Sequence, residues 1–279
     1  MNILEEIAER TRIRVAEDKK RAPLADVRRA AEEAAKARAP RGFENALRGG
    51  DVSFICEVKR ASPSKGLIAE DFPYLDIARG YEAAGAAAIS CLTEPYWFKG
   101  SDEYLREIAR EARIPVLRKD FTVDEYMIYA ASALGASAVL LIVSLTDGAA
   151  LRDYIALAHE LNLSALVEVH DEAETELALG AGARIVGVNN RDLKTFKVDM
   201  NVSLRLRPLV PREIVFVSES GVNGPEDIEK LRRCGADAVL VGERLMRAAD
   251  KRAALAELCF SREIPTTLLM GQNTNKVRD

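Results

Sequence analysis

Eight short apolar segments, rich in β-branched residues and separated by amphipathic stretches, recur along this chain of 279 residues. They start about 26 residues apart, near Ser53, Ala87, Pro115, Ala138, Ala165, Arg184, Ile214 and Ala238. Each segment is almost continuously apolar, which is typical of parallel strands covered on both faces. Eight such β/α units predict the α/β class and a closed (β/α)8 TIM barrel. The alternative is an open doubly wound sheet, but its Gly-rich first turn does not occur in the sequence.

The chain is predicted to have three regions. Residues 1–50 carry helical patterns and predict an N-terminal helical extension packed on the barrel, residues 51–259 form the barrel catalytic domain, and residues 260–279 form a flexible C-terminal tail. Two roles are open for the extension, either closing the bottom of the barrel or covering the substrate. Four small-residue turns, each preceding a strand, predict helices that end in glycine, which adopts a positive φ at little cost. These glycines are Gly85, Gly135, Gly182 and Gly235.

The composition excludes several classes of partner. The formal net charge is −4, which gives no overall attraction to nucleic acid or to an anionic membrane. No apolar run is long enough to span a bilayer, and the amino-terminal pattern is not that of a signal peptide, so we expect a cytoplasmic protein, monomeric or weakly oligomeric. The four cysteines are far apart in the sequence, and only His159 and His170 are histidines, so neither disulfides nor a metal site are expected. For His170, which follows the fifth strand, a loop role and a minor role in the site both stay open.

Polar residues at the ends of the predicted strands are the candidates for catalysis, because reacting groups in β/α barrels lie there. They are Glu57, Lys59, Lys119, Glu168, Asn189, Arg191, Glu219 and Ser220. Burying three carboxylates and two lysines for stability alone is unfavourable, because desolvation roughly cancels their pairing. The set therefore predicts an active site.

A second group of residues predicts a phosphate site. Gly221 follows the seventh strand and Gly242 follows the eighth, which is the usual position of a phosphoryl group in such barrels. Ser62, in the segment KRASPSKG after the first strand, can add a hydroxyl group. We therefore expect a small phosphorylated substrate.

Six motifs occur in order at the ends of the predicted strands, namely FICEVKRASPSKG, LRKDF, LVEVH, VGVNNRDL, VSESGV and LVGERLM. Together they resemble the indole-3-glycerol phosphate synthases of tryptophan biosynthesis, over about residues 50–248. Six motifs in the same order on the same eight β/α units identify a family far more specifically than a shared fold does. The resemblance implies a lyase that converts 1-(2-carboxyphenylamino)-1-deoxyribulose 5-phosphate to indole-3-glycerol phosphate, with loss of CO₂ and water and without cofactor or metal. Asn190 departs from the serine or threonine common in that family.

The resemblance also implies catalytic roles. Lys119 corresponds to the general acid that protonates the substrate carbonyl, a role that a lowered pKa would help. Lys59 is implied to pair with the substrate carboxylate and to donate a later proton. Glu168 is implied to act as general base or to stabilise positive charge. Glu57 is implied to orient the lysines, and a share in proton transfer stays open for it. Two further residues, Asn189 and Glu219, are implied to hold sugar hydroxyls and the lysine network.

The substrate-binding set follows from the same resemblance. Ser62, Gly221 and Gly242 correspond to phosphate positions, and Arg191 is implied to position an anionic or hydroxyl group. Apolar walls around the aromatic ring are implied for Phe98, Phe121 and Leu140. The predicted set is completed by Ser220 and Leu240.

Three other functions compete with this interpretation. One is phosphoribosylanthranilate isomerase, which would need a cysteine base such as Cys56, although strand alternation points Cys56 away from the side of Glu57. Another is a Schiff-base aldolase with Lys119 as nucleophile. The third is a non-catalytic barrel that binds a phosphorylated metabolite and has no need for Lys119 or Glu168.

Overall fold

Eight parallel strands form the centre of the molecule, whose computed structural model describes residues 2–38, 42–192 and 194–259. The strands are β1 (Ser53–Val58), β2 (Ala88–Leu92), β3 (Val116–Lys119), β4 (Ala138–Ile142), β5 (Ser164–Val169), β6 (Ile185–Asn189), β7 (Val215–Glu219) and β8 (Ala238–Val241). Each strand pairs with the next along the chain, and β8 pairs with β1, so the sheet closes. The predicted (β/α)8 barrel is confirmed, and every strand begins within one residue of its expected position.

Helices cover the outside of the barrel and precede it. They are α1 (Ile3–Arg21), α2 (Leu24–Lys36), α3 (Gly42–Ala46), α4 (Tyr74–Ala83), α5 (Asp102–Glu111), α6 (Glu125–Ala133), α7 (Gly148–Glu160), α8 (Glu172–Gly180), α9 (Asn201–Leu206), α10 (Pro225–Cys234), α11 (Glu243–Arg247) and α12 (Lys251–Cys259). The four glycines predicted at helix ends all have φ between +83° and +91°, where a side chain would be strained. These turns reverse the chain from each helix into the next strand.

Alternation along the strands separates an inner from an outer core. Ile55, Leu117, Leu166 and Val217 belong to the cluster that fills the barrel. Cys56 belongs instead to the larger cluster between strands and helices, as the alternation predicts. Because side chains repeat every two residues, the next inward positions towards the carboxyl ends of these strands carry charge. They are Glu57, Lys119, Glu168 and Glu219.

The three N-terminal helices contact different parts of the barrel. Residues of α1 reach its carboxyl end, where Arg14 binds the carboxylate of Asp120. Helix α2 packs beside α6, with the Ser132 hydroxyl donating to the carbonyl of Ala31. From α3, Phe43 enters the inner cluster at the opposite end. Helices α1 and α3 therefore contact opposite ends of the barrel, and the two roles left open for the extension stay predictions.

Some predictions concern features beyond these elements. Residues 260–279, predicted as a tail, lie outside the described residues, and the division of the chain at residues 50 and 259 stays a prediction. Within the described ranges, no helix is long and apolar enough to cross a membrane. The same ranges hold no group of three His, Cys, Asp or Glu side chains placed to bind a metal ion.

Candidate active site

A cavity of about 950 Å³ opens at the carboxyl ends of the barrel strands. The structure brings all the predicted site residues into its lining: Glu57, Lys59, Ser62, Phe98, Lys119, Phe121, Leu140, Glu168, Asn189, Arg191, Glu219, Ser220, Gly221, Leu240 and Gly242. They come from strands and loops all around the barrel, because parallel strands of a closed sheet end on one rim. Their individual roles stay predictions.

Lysine and glutamate side chains form a charged cluster at the floor of this cavity. Lys119 Nζ lies 3.3 Å from Glu219 Oε2 and 3.6 Å from Glu168 Oε2. Lys59 Nζ lies 2.6 Å from Glu57 Oε2. The three carboxylates are buried, so each depends on these lysines and on hydrogen bonds for compensation.

The environment of Lys119 favours its protonated form. Burial disfavours the ammonium, but the negative charges of Glu219, Glu168 and Glu57 outweigh burial and raise the pKa of Lys119 above its ordinary value. A lowered pKa of Lys119 would help the role that the resemblance implies, but in the structure the pKa of Lys119 is raised. Lys119 therefore carries a proton at neutral pH.

The two carboxylates beside Lys119 have opposite pKa shifts. Burial disfavours ionisation of Glu168, but the charge of Lys119, followed by the contributions of His170 and Asn189, lowers its pKa. For Glu219, burial outweighs Lys119, and repulsion from Glu168 adds to burial, so its pKa is raised. Glu168 is therefore the more fully ionised of the two carboxylates at neutral pH.

Two glycines leave room for the charged cluster. A Cβ on Gly242 would lie 2.4 Å from Glu57 Oε2 and 2.9 Å from Lys59 Nζ. A Cβ on Gly187, in β6, would lie 2.3 Å from Glu219 Oε1. Gly242 was predicted as a phosphate residue, and the structure adds this packing reason for glycine there.

Aromatic side chains form one wall of the cavity. The rings of Phe98 and Phe121 lie 5.9 Å apart between centroids, and Leu140 completes the apolar surface. The loop that carries Phe98 is organised by the buried carboxylate of Glu94, which accepts the backbone N–H groups of residues 96–98 at 2.7–2.9 Å. Sequence reasoning missed Glu94, because an acidic residue in a loop does not reveal which amides it accepts.

The loops after β7 and β8 provide the other end of the cavity. Ser220 and Gly221 both have a positive φ, +64° and +97°. The side chain of Asn190, which the sequence marked only as a departure, donates to the carbonyl of Ser220 at 3.0 Å. Arg191 donates to the carbonyl of Phe196 at 3.2 Å, which secures the loop after β6.

Several cavity residues were not predicted from the sequence. Ile3 and Ile7 of α1 reach the mouth, as do the cationic side chains of Lys65, Arg244 and Arg247. The apolar stripe of α1 is visible in the sequence, but it does not show which end of the barrel the helix covers. Lys65 lies in the KRASPSKG motif, which is the signal that could have found it.

The fold and the charged cavity define the class of the protein: a (β/α)8-barrel enzyme with an acid–base site at the carboxyl ends of its strands. The family model described as indole-3-glycerol phosphate synthase matches residues 4–258, and the chain belongs to that family. It is 56% identical over 256 residues to the indole-3-glycerol phosphate synthase of Ruminiclostridium cellulolyticum, covering 92% of this chain and 98% of the relative. The same-named protein of Lacticaseibacillus paracasei is 48% identical, with 91% and 97% covered.

Solved structures support the fold independently. The chain resembles 3-hexulose-6-phosphate synthase from Salmonella typhimurium with a TM-score of 0.61 at 15% identity, covering 74% of this chain and 96% of that one. Thiamine phosphate pyrophosphorylase from Pyrococcus furiosus gives 0.56 at 20% identity, with 76% and 96% covered. At these identities the likeness shows the barrel alone.

Proposed function

We propose that this cavity performs the indole-3-glycerol phosphate synthase reaction with Lys119 as general acid and Glu168 as general base. The observation that carries the assignment of roles is the 3.6 Å separation of Lys119 Nζ and Glu168 Oε2 inside one cavity. A protonated amine and an ionised carboxylate at that distance can serve opposite proton transfers on one small substrate. The substrate is 1-(2-carboxyphenylamino)-1-deoxyribulose 5-phosphate, as the family implies.

The first step closes the five-membered ring. The aromatic carbon that bears the carboxylate bonds to the ketone carbon, and Lys119 gives its proton to the ketone oxygen, which becomes a hydroxyl. Breaking the bond to CO₂ returns its electron pair to the aromatic ring. The neighbouring carboxylates keep Lys119 protonated before the substrate binds, but the raised pKa also makes that proton harder to give up.

The second step removes water. The hydroxyl leaves with a second proton, which we assign to Lys59, while the nitrogen lone pair stabilises the cation. Glu168 then takes a proton from the carbon next to nitrogen, and the indole forms. Two protons enter and one leaves, which balances the loss of a carboxylate as neutral CO₂. Glu57 holds Lys59 at 2.6 Å, and Asn189 and Glu219 orient Glu168 and Lys119.

Binding uses the two ends of the cavity. The anthranilate ring packs on Phe98, Phe121 and Leu140, and the phosphate is held by Ser62 and by backbone N–H groups near Gly221 and Gly242. Ser220 and Leu240 border the same space, and Arg191 faces an anionic or hydroxyl group. These assignments rest on the lining of the cavity and on the family resemblance.

The competing functions have less support. Cys56 lies in the outer cluster, and burial raises the pKa of its thiol, so it is not placed as the base of an isomerase. An aldolase would form a Schiff base on Lys119, and borohydride would trap that adduct. The further expectations, a cytoplasmic protein that is monomeric or weakly oligomeric and binds no nucleic acid, stay proposals that fractionation, size-exclusion chromatography and titration with nucleic acid would test.

The test is turnover of the carboxyphenylamino deoxyribulose phosphate by the purified chain, followed by indole fluorescence. Lys119→Ala and Glu168→Gln are each expected to lower kcat by about 10²–10⁴ with little change in substrate affinity. Glu176→Gln, the same chemical change on the exposed face of α8, is the matched control. Wild-type turnover retained by both cavity variants would instead support a barrel that only binds a phosphorylated metabolite.

A further inference from the structure

His170 connects the general base to a second carboxylate behind the cavity. It is the first residue after β5, two positions beyond Glu168, so both side chains lie on the same side of the chain. Its backbone N–H and its ring Nδ1 lie 2.8 Å and 2.9 Å from Glu174 Oε2, in α8. The other ring nitrogen, Nε2, lies 3.5 Å from Glu168 Oε1. The imidazole therefore bridges two carboxylates.

The surroundings of this bridge favour a charged ring. Burial disfavours the imidazolium, but the close contacts with Glu168 and Glu174 and their negative charges outweigh it and raise the pKa of His170 to about 10. The ring Nε2 is buried and makes no hydrogen bond in the structure, so its 3.5 Å contact with Glu168 Oε1 is an ion pair. At neutral pH the ring is a second cation beside Glu168.

Other charged and polar groups face Glu168 from the surrounding strands. Asn189 donates to Glu168 Oε1 at 3.2 Å, whereas Lys119 lies against the opposite oxygen, Oε2. The acidic neighbours Glu219 and Glu57 repel the Glu168 carboxylate, and Lys59 is paired with Glu57. The cations nearest Glu168 are thus Lys119, which the proposed reaction deprotonates, and His170, which is not among the residues that line the cavity.

We propose that His170, anchored by Glu174, is a positioning residue that holds Glu168 in orientation and keeps it ionised after Lys119 has given its proton to the substrate. The inference rests on the proposed function. When Lys119 becomes neutral, the buried Glu168 loses its nearest opposite charge and would tend to take up a proton before the step that needs a base. The imidazolium keeps its charge through the cycle because it transfers no proton.

The test compares His170→Gln with the wild type over pH 5.5–8. Glutamine keeps a neutral donor near the position of Nε2 and removes the charge. The ratio of variant to wild-type kcat is expected to fall as the pH falls, by about tenfold for each pH unit below the new pKa of Glu168, with KM nearly unchanged. Taking the ratio of the two kcat values cancels the effect of every group that titrates in the same way in both proteins. A ratio that stays constant across this range in a folded variant would overturn the proposal.

Two further measurements separate the possible failures. Glu176→Gln changes an exposed residue on the same helix as Glu174. The ratio of its kcat to the wild-type kcat is expected to be independent of pH. If His170→Gln does not fold, ring ¹⁵N NMR of the wild type decides, because His159 is the only other histidine and a His159→Gln variant assigns the signals. Both nitrogens of His170 protonated at pH 8 support the proposal, and a neutral ring at pH 7 refutes it. An inactive wild type would count against the proposed function, whereas an active wild type with a neutral His170 counts only against this role.

Discussion

Asn190 shows how a single side chain can connect loops that are distant in sequence. Its buried amide donates to the Ser218 hydroxyl and to the carbonyls of Glu219 and Ser220, at 3.0–3.1 Å. Its oxygen accepts the backbone N–H and the hydroxyl of Ser203, at 3.0 Å and 2.9 Å. Because Ser220 has a positive φ without being glycine, these bonds stabilise a strained turn at the proposed phosphate end of the cavity.

Replacing Asn190 by alanine is expected to affect both stability and binding. The buried groups left without partners should lower the free energy of unfolding by about 1–3 kcal/mol. The loosened turn should raise KM several-fold more than it lowers kcat, because it borders the proposed phosphate end of the cavity and not the proposed proton donors. Urea denaturation and steady-state kinetics measure the two effects.

The exposed Asn201→Ala exchange, on α9, is the control for this variant. Asn190→Ser should fall between wild type and alanine, since a hydroxyl replaces part of the network. An unchanged KM in Asn190→Ala, despite lost stability, would contradict a role in holding the turn.

At the scale of elements, α1 is attached to the barrel next to Lys119, the proposed general acid. Arg14 donates twice to the Asp120 carboxylate, at 2.9 Å. Asp120 directly follows Lys119 and also accepts from the Thr93 hydroxyl and from the backbone N–H of Phe121. Burial disfavours the Asp120 carboxylate, but the charges of Arg14 and then Arg118 lower its pKa. The helix that borders the cavity is thus linked to the segment that carries Lys119 and Phe121, both of which line the cavity.

Removing this link should destabilise the protein and slow the reaction. Arg14→Met leaves Asp120 buried with Arg118 as the remaining cation at 3.6 Å, so a loss of about 3–5 kcal/mol is expected. We also expect kcat to decrease, because the backbone of Lys119 and Phe121 loses a support. Urea denaturation with kinetics below the unfolding transition tests both.

Arg12→Met on the same helix is the matched control, because the Arg12–Glu9 pair is exposed and contributes little. Equal stability of the Arg14 and Arg12 variants would show that α1 is not held through Asp120.

At the scale of the whole molecule, buried ionisable groups set the dependence of stability on pH. The pKa values of Glu57, Asp120 and Glu168 are lowered in the folded state, where burial is outweighed by neighbouring cations. Their contribution is present above their ordinary values and is lost as the pH falls below about 4. His170 has the opposite sign: its raised pKa stabilises the fold below about pH 6.5, and that contribution is lost as the pH rises towards 10.

We therefore expect the free energy of unfolding to be largest near pH 4.5–5. The raised pKa of Glu219, about 7, adds a decrease that begins near pH 4.5 and is complete near pH 7, because the unfolded chain ionises this carboxyl group before the folded protein does. Urea midpoints measured from pH 3 to 9 would show the maximum. In His170→Gln the decrease above pH 6.5 should become shallower, whereas stability that rises steadily to pH 8 in the wild type would contradict these signs.

The sequence by itself determined the barrel and most of the lining of its cavity. Apolar segments at regular spacing specify strands, and the two-residue repeat of a strand places Glu57, Lys119, Glu168 and Glu219 on the inner face. These are local properties, so they can be read without knowing what lies across the barrel.

Only the tertiary structure decided which charges meet. The raised pKa of Lys119, the bridge made by His170, the network of Asn190 and the attachment of α1 through Arg14 all depend on groups far apart in the chain. The physical reason is that electrostatic and hydrogen-bond energies depend on distance through space and on burial. Sequence order does not record either quantity.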